Sequence, residues 1–394
     1  MARDYKVISG DSHLDIPPER WIGHVPEQWR NRAPRTVRLP NGNDGILLEN
    51  RTPHTPGAQL TGTGRRYDLH DVGPITYDGP GTGGPDKRCQ EQDQDGIDAE
   101  VMYTHPSYIR FWRGIRDDEP YKAMIWAYND WLGTEYCAHA PDRLLAMGVI
   151  PDTGVDDAIA ELEHCAKVGL KGIALYRFPS GKNYPTPEDD RFWKQALAMK
   201  MPITAHTAGG TTRFTREEPI FPQVKGQGDG RGDPVSILCR FCGDTAVVPI
   251  QLALAGVFDR FPDLRIYHAE TQAGWVPFAL FQIDDNYNRE RYKMERNLGI
   301  PPLARPLSDY IKTHVLWGFM CDPVAVQRRH EIGVDRIIWG NDFAHAQGDW
   351  PESIEVIDEM MEGVPADDRY RMVAGNAVDF FHLNGGSNGN GAPA

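Results

Sequence analysis

Short runs rich in Val, Ile and Tyr recur along the chain, each bounded by Gly, Pro or Asp, and most are followed by a stretch with helical spacing. The runs are Tyr5–Ser12, Ala99–Thr104, Leu145–Pro151, Gly172–Arg177, Pro202–Thr207, Arg265–Glu270, Val315–Met320 and Arg336–Asp342. Their apolar residues are nearly continuous, the pattern of strands covered on both faces. Between them, Val155–Val168 reads VDDAIAELEHCAKV, with apolar positions on one helical face and Gly169 as a stop. Ala246–Phe261, Val276–Arg291, Pro323–Ile332 and Trp350–Met361 have the same character, the last with Pro351 at its start. Eight strand–helix units in about 340 residues predict an α/β fold closed as a parallel (β/α)8 TIM barrel. The alternative is a doubly wound open sheet, which usually carries a Gly-rich phosphate turn after its first strand. This chain has Gly10-Asp-Ser-His-Leu-Asp15 there instead.

Two segments interrupt the alternation. Residues 22–88 follow the first strand and residues 208–236 follow the fifth; both are rich in Gly, Pro, Thr and Arg with little helical period. Both leave the C-terminal ends of strands, where barrels build their active sites, so they are expected to act as lids or substrate loops, with plain surface decoration as the alternative. Residues 1–384 are expected to form one barrel domain, and 385–394, GGSNGNGAPA, a disordered tail.

Composition narrows the partners. A formal charge of −14 disfavours nucleic acid and anionic membranes. No apolar run reaches the ~18 residues of a membrane span, and the N-terminus shows no signal region, so a cytoplasmic protein is expected. Six scattered cysteines fit a reducing compartment. Cys239-Arg-Phe-Cys242 is a lone CxxC with no further Cys or His nearby to complete a zinc site, and unpaired packed thiols are the expected reading.

The candidate chemistry sits at strand ends. The first strand gives Asp11 and His13, the fifth His206, the sixth His268 and Glu270, the eighth Asp342 with His345 beyond it. Residues i and i+2 of a strand share a face, so Asp11 and His13 can converge in the barrel mouth, and so can His268 and Glu270. A single buried histidine is more often a satisfied core residue. Carboxylates and imidazoles on several strand ends of one barrel are harder to explain that way, because a buried carboxylate is costly unless paired or bound to metal. Mixed N and O donors suit zinc, manganese or iron(II) better than calcium. Zinc is the favoured ion, manganese the second, at one ion per chain.

These stretches resemble the amidohydrolase superfamily, in the amidohydrolase-related branch that includes the aminocarboxymuconate semialdehyde decarboxylase group. The matching segments are ISGDSHLDIPPERW, CQEQDQDGIDAEVMY, DRLLAMGVIP, VGLKGIAL, PITAHT, VFDRFPDLRIYHAETQAGWVP, VDRIIWGNDFAHAQGDWPES and NAVDFFHL, spanning Tyr5 to Leu383 apart from the two insertions. The resemblance implies Asp11, His13, His206 and Asp342 as metal ligands, with Asp342 also handling a proton. The family's sixth-strand histidine is replaced by Glu270, and its first-strand His or Glu by Asp11. His268 is expected to assist from the same mouth. His345, His105 and Arg177 are candidate substrate contacts; Arg suits bidentate carboxylate binding, although a structural ion pair is the equal alternative. Tyr108, Phe111 and Trp112 could wall a ring pocket but read first as ordinary packing, as do Trp21, Trp275 and Trp350.

The leading functional expectation is a hydrolase acting on a small cyclic amide, lactone or related substrate, because an ionised Glu270 is a better base than acid. The alternative is non-oxidative decarboxylation of an aromatic or unsaturated carboxylic acid, which burial of Glu270 would favour. A non-catalytic binding barrel is the remote third reading. The resemblance also implies a homodimer or higher homo-oligomer, with helix 276–291 as a candidate contact.

Overall fold

A computed structural model describes residues 3–49, 51–53, 74, 76–206, 235, 243–345 and 348–383. Its centre is an eight-stranded parallel sheet whose strands are hydrogen-bonded to one another in chain order. The strands are β1 (Ile8–Leu14), β4 (Ala99–Thr104), β5 (Leu144–Val149), β6 (Gly172–Leu175), β7 (Ile203–His206), β8 (Ile266–Ala269), β9 (Val315–Phe319) and β10 (Ile337–Trp339). Every residue in them is buried, as their near-continuous apolar runs require.

The first and last strands meet. Ser12 bridges Phe343 in parallel, and Asp342 N donates to Asp11 O at 3.0 Å. The sheet therefore closes on itself as a (β/α)8 barrel, and the open-sheet alternative falls away. Gly340 makes that seam possible: a Cβ there would lie 2.8 Å from both Cβ and N of Asp11.

Several elements differ from the sequence expectation for local reasons. The predicted helix Ala246–Phe261 is two helices, Val247–Leu254 and Val257–Arg260, separated at Gly256, which turns left-handed (φ 68°). The predicted helix Pro323–Ile332 likewise divides into Pro323–Gln327 and Arg329–Ile332. Helix Val276–Leu298 runs past Arg291 to a left-handed Gly299 cap; its added turns are mostly polar, so they carry no apolar signal. Pro351 precedes its helix instead of opening it, and the helix spans Ser353–Met360. Within the first insertion an antiparallel hairpin forms from β2 (Arg35–Arg38) and β3 (Asp44–Leu47). Helix Pro85–Asp95 begins inside the same insertion. Of the second insertion only Val235 lies among the described residues; the Cys239/Cys242 pair and the tail lie outside them. Among the described residues no helix is long and apolar enough to cross a membrane.

Candidate metal centre

Two strands bring the first candidate ligands together. Asp11 and His13 lie in β1, Asp11 within the register shift between Ser9 and Ser12, and His206 ends β7. His13 Nε2 lies 3.8 Å and His206 Nε2 3.4 Å from Asp11 Oδ1; Glu270 Oε2 lies 3.5 Å from His206 Nε2. One ligand atom from each of Asp11, His13, His206 and Glu270 falls within a sphere of mutual distances no longer than 4.8 Å. Asp342 stands beside this cluster, with Oδ1 3.1 Å from His13 Nε2 and 2.9 Å from His345 Nδ1. His345 stacks on His13 at 3.8 Å between ring centroids.

The donor atoms fit a divalent cation. Both carboxylate oxygens of Asp11 and both ring nitrogens of His13 are buried without a hydrogen bond that satisfies them. Buried polar atoms are normally paired, so a convergent set of unsatisfied N and O donors marks a cation site.

Helix Pro85–Asp95 holds the β1–β10 seam in place, a role that sequence inspection missed. Arg88 is buried, pairs with Glu100 at 2.6 Å, and donates to the carbonyls of His13 (3.0 Å) and Phe343 (3.3 Å). Its guanidinium also lies over the Phe343 ring, 4.4 Å from the centroid. Asp95 accepts from Asn341 Nδ2 and from Ser353 N and Oγ. Asn341 in turn accepts from Ser9 Oγ and Phe343 N. This network brackets Asp342, which is held in a left-handed conformation (φ 52°) that a non-Gly residue adopts only when its surroundings impose it.

The sixth barrel strand corrects one expectation. His268 and Glu270 do not form a pair on one face. β8 ends at Ala269, and Glu270 turns left-handed (φ 54°), which swings its carboxylate towards His206 and Asp11. His268 stays in the strand and packs on Trp317, which packs on Trp275 at the start of helix Val276–Leu298. Among the described residues it belongs to neither ligand cluster, and its ring lies beside Trp317 and the backbone of His206 and Thr245.

Electrostatics follow from this packing. Burial would raise the Asp342 carboxyl, but His345 and His13 outweigh it and hold it well below the usual carboxylate range. Burial would lower His345, but the Asp342 charge wins and pushes it up to about 9. His13 is driven well down by burial and by His345, so it presents a neutral ring. Burial, offset in part by His206, raises Asp11, and it lifts Glu270 to about 8. His268 falls to about 3 through burial and the nearby His206.

The other candidates divide. His105 is half-buried at the mouth, 5.1 Å from the His345 ring and 5.9 Å from that of His13. Arg177 donates to Asn183 at 2.9 Å and lies 3.6 Å from Asp152, so the ion-pair alternative is what its guanidinium makes here. Trp112 packs on Trp21 and Tyr128 in the core, and Phe111 lies under Arg51; Trp275 and Trp350 donate to the backbone carbonyls of Thr271 and Glu91. These are packing roles. Tyr108 is buried beside His105 and reaches Tyr77 of the first insertion.

Comparison with known proteins agrees with this architecture. The amidohydrolase family model matches residues 85–383, and the chain belongs to that family, in the amidohydrolase-related group. It is 24% identical over 314 residues to the gamma-resorcylate decarboxylase of Polaromonas sp. strain JS666, covering 76% of this chain and 87% of that protein. It is 22% identical over 306 residues to the 2-amino-3-carboxymuconate-6-semialdehyde decarboxylase of Dictyostelium discoideum, covering 76% and 77%. Its fold superposes with a TM-score of 0.62 on the 5-carboxyvanillate decarboxylase of Novosphingobium aromaticivorans, solved with manganese and 4-hydroxy-3-methoxy-5-nitrobenzoic acid, at 17% identity over 96% of each chain. The chain is an enzyme of this family. The curated relatives are decarboxylases, which favours the alternative reading over the hydrolase expected first.

Proposed function

We propose that this enzyme is a metal-dependent carboxy-lyase that removes carbon dioxide non-oxidatively from an aromatic carboxylic acid. The carrying observation is the Asp342–His345 pair, 2.9 Å apart beside the unsatisfied donor cluster. The hydrolase expectation leaned on Glu270 as an ionised base, and the decarboxylase relatives favour the carboxy-lyase alternative over it.

Asp11, His13, His206 and Asp342 would hold the ion, with Glu270 as the neighbouring carboxylate. Bound there, a divalent ion supplies the positive charge that orients the substrate carboxylate and an adjacent oxygen. The chain's own residues do the rest. His345 holds a proton on Nδ1 against Asp342 Oδ1, and this pair delivers it to the ring carbon that carries the carboxylate. The carbon–carbon bond then breaks, its electrons return to the ring, and carbon dioxide leaves with hydrogen in its place. The buried mouth keeps bulk water from competing for that proton.

Manganese, present in the related structure, is the ion to test first, with zinc second. Protein loaded with each ion should release carbon dioxide from hydroxybenzoates and place one deuterium on the ring in heavy water. Hydrolysis of lactones or cyclic amides without any carbon dioxide release would overturn this reading. The two insertions are proposed to cover the mouth. Tyr77 in the first supports that, since its hydroxyl lies 3.4 Å from Tyr108. A homodimer through helix Val276–Leu298 is proposed from its exposed Phe281 and Tyr292, and sedimentation of the full chain tests it.

A further inference from the structure

Away from the metal centre, two histidines and three carboxylates meet where the first insertion begins. His24 closes the short turn Ile22–His24 and reaches helix Asp118–Trp131 and the turn that follows it. Its Nδ1 lies 2.7 Å from Asp130 Oδ2 and its Nε2 2.8 Å from Glu135 Oε1. His164, on helix Val155–Lys167, repeats the arrangement: Nδ1 lies 2.8 Å from Glu161 Oε1 and Nε2 3.4 Å from Asp130 Oδ1. Asp130 is thus bridged by two imidazoles. Glu161 Oε1 also accepts from Asn129 Nδ2, and Asn129 exchanges hydrogen bonds with N and O of Val149, the last residue of β5. A continuous polar chain therefore runs from the root of the insertion to a strand end at the barrel mouth, and none of the steps above uses it.

A neutral imidazole has one N–H, so it satisfies one carboxylate and turns a lone pair on the other. Only the imidazolium donates to both, and the two rings together need two added protons. Neighbouring charges are turned elsewhere: Arg30 to the carbonyls of Gly23 and Val25, Lys122 to Glu119 and Asp157, Glu19 to Thr36 and Glu163 to Gln195. We propose that this network is a proton-operated latch fastening the root of the first insertion to helix Asp118–Trp131, closed while His24 and His164 are imidazolium and released when they are neutral. In the released state Asp130, Glu135 and Glu161 face one another with no positive charge between them, and His24 loses one of its two anchors. Burial would lower both rings, but the carboxylates outweigh it and hold both above the ordinary 6.5. The fastening is therefore fully present below 6.5 and is lost as pH rises through the raised values. That release uncovers the mouth rests on the reading of the insertion as its cover; the latch itself does not.

Hydrogen exchange of the full chain separates the two, read by mass spectrometry at about pH 6 and about pH 9 and corrected for the intrinsic pH dependence of exchange. Segment 18–32 of wild type should lose about tenfold or more of its protection at the higher pH, the factor carried by one unit of pKa difference, while β9 keeps its own. His24→Gln, whose side chain stays neutral, should show the lower protection at both pH values. Glu135→Gln, at an exposed position, should move the transition to lower pH, because it removes one of the two acceptors that hold the His24 proton. Equal protection of wild type at the two pH values overturns the proposal. So does a pH-dependent loss that persists in His24→Gln, or a Glu135→Gln transition at the wild-type pH. If segment 18–32 loosens in this way and segment 76–84, which carries Tyr77, does not, the latch stands and the reading of the insertion as a cover fails.

Discussion

The two sides of the barrel mouth are built by different means. At the β1–β10 seam, Asp11, His13 and Asp342 are tied by backbone bonds between strands, by Arg88 on two carbonyls and by the Asp95–Asn341 network. At the end of β8, Glu270 is placed by a left-handed turn, by Thr271 N donating to Gly318 O at 3.0 Å, and by the bare Gly318. A Cβ on Gly318 would lie 2.9 Å from Glu270 N. The seam is a buried polar network in which every member depends on the others; the β8 end is a steric fit around one turn. The seam is thus held by many cross-strand partners and the β8 end by one turn, while burial raises a carboxyl on each side, Asp11 and Glu270.

Substitution should break this contrast in a graded way. Asp342→Asn strikes the proposed proton-handling group of the seam, and turnover should fall by about 10²- to 10⁴-fold with the fold retained, as read by steady-state kinetics and circular dichroism. A loss under tenfold would move the proton away from the Asp342–His345 pair. Arg88→Met leaves the buried Glu100 without its ion pair, with Gln92 still donating to it at 3.1 Å, and the expected cost is about 3–5 kcal/mol in denaturant unfolding. A cost below about 1 kcal/mol would mean that the seam does not depend on helix Pro85–Asp95.

Glu270 sharpens the other side through pH. Its folded value of about 8 stands above the ordinary 4.5, so the native state binds the extra proton between those values. The stability it contributes is fully present below 4.5 and is lost as pH rises through about 8. The thermal midpoint of metal-free protein should thus fall across that window, and Glu270→Gln should flatten the fall. Identical slopes in the two proteins would place the proton elsewhere. His268→Leu should have the smallest effect, less than about 1.5 kcal/mol in stability, with turnover within about threefold, because the ring packs on Trp317 outside the mouth. A hundredfold loss of turnover would restore His268 to the chemistry.

What sequence reading could reach followed chain-local signals. Asp11, His13, His206 and Asp342 were legible because polar residues at the ends of apolar runs are conspicuous. The His268–Glu270 pairing failed because alternation holds only while the strand continues, and Glu270 leaves it with φ 54°. Arg88 and Asp95 were invisible for another reason. Arg88 serves carbonyls 75 and 255 residues away, and Asp95 serves Asn341 and Ser353, 246 and 258 residues away. No period or motif within one segment encodes such a partner.

By itself, then, the sequence determined the repeating strand–helix order, the closed barrel that order requires and the carboxylates and imidazoles carried to the strand ends, because each depends on residue type and spacing along one segment. Only the tertiary structure decided which of those side chains face the mouth, which carboxyls stay charged and what holds the seam. Those outcomes depend on a left-handed turn at Glu270, on burial, and on contacts between residues hundreds of positions apart, and all three come into being only when the barrel closes.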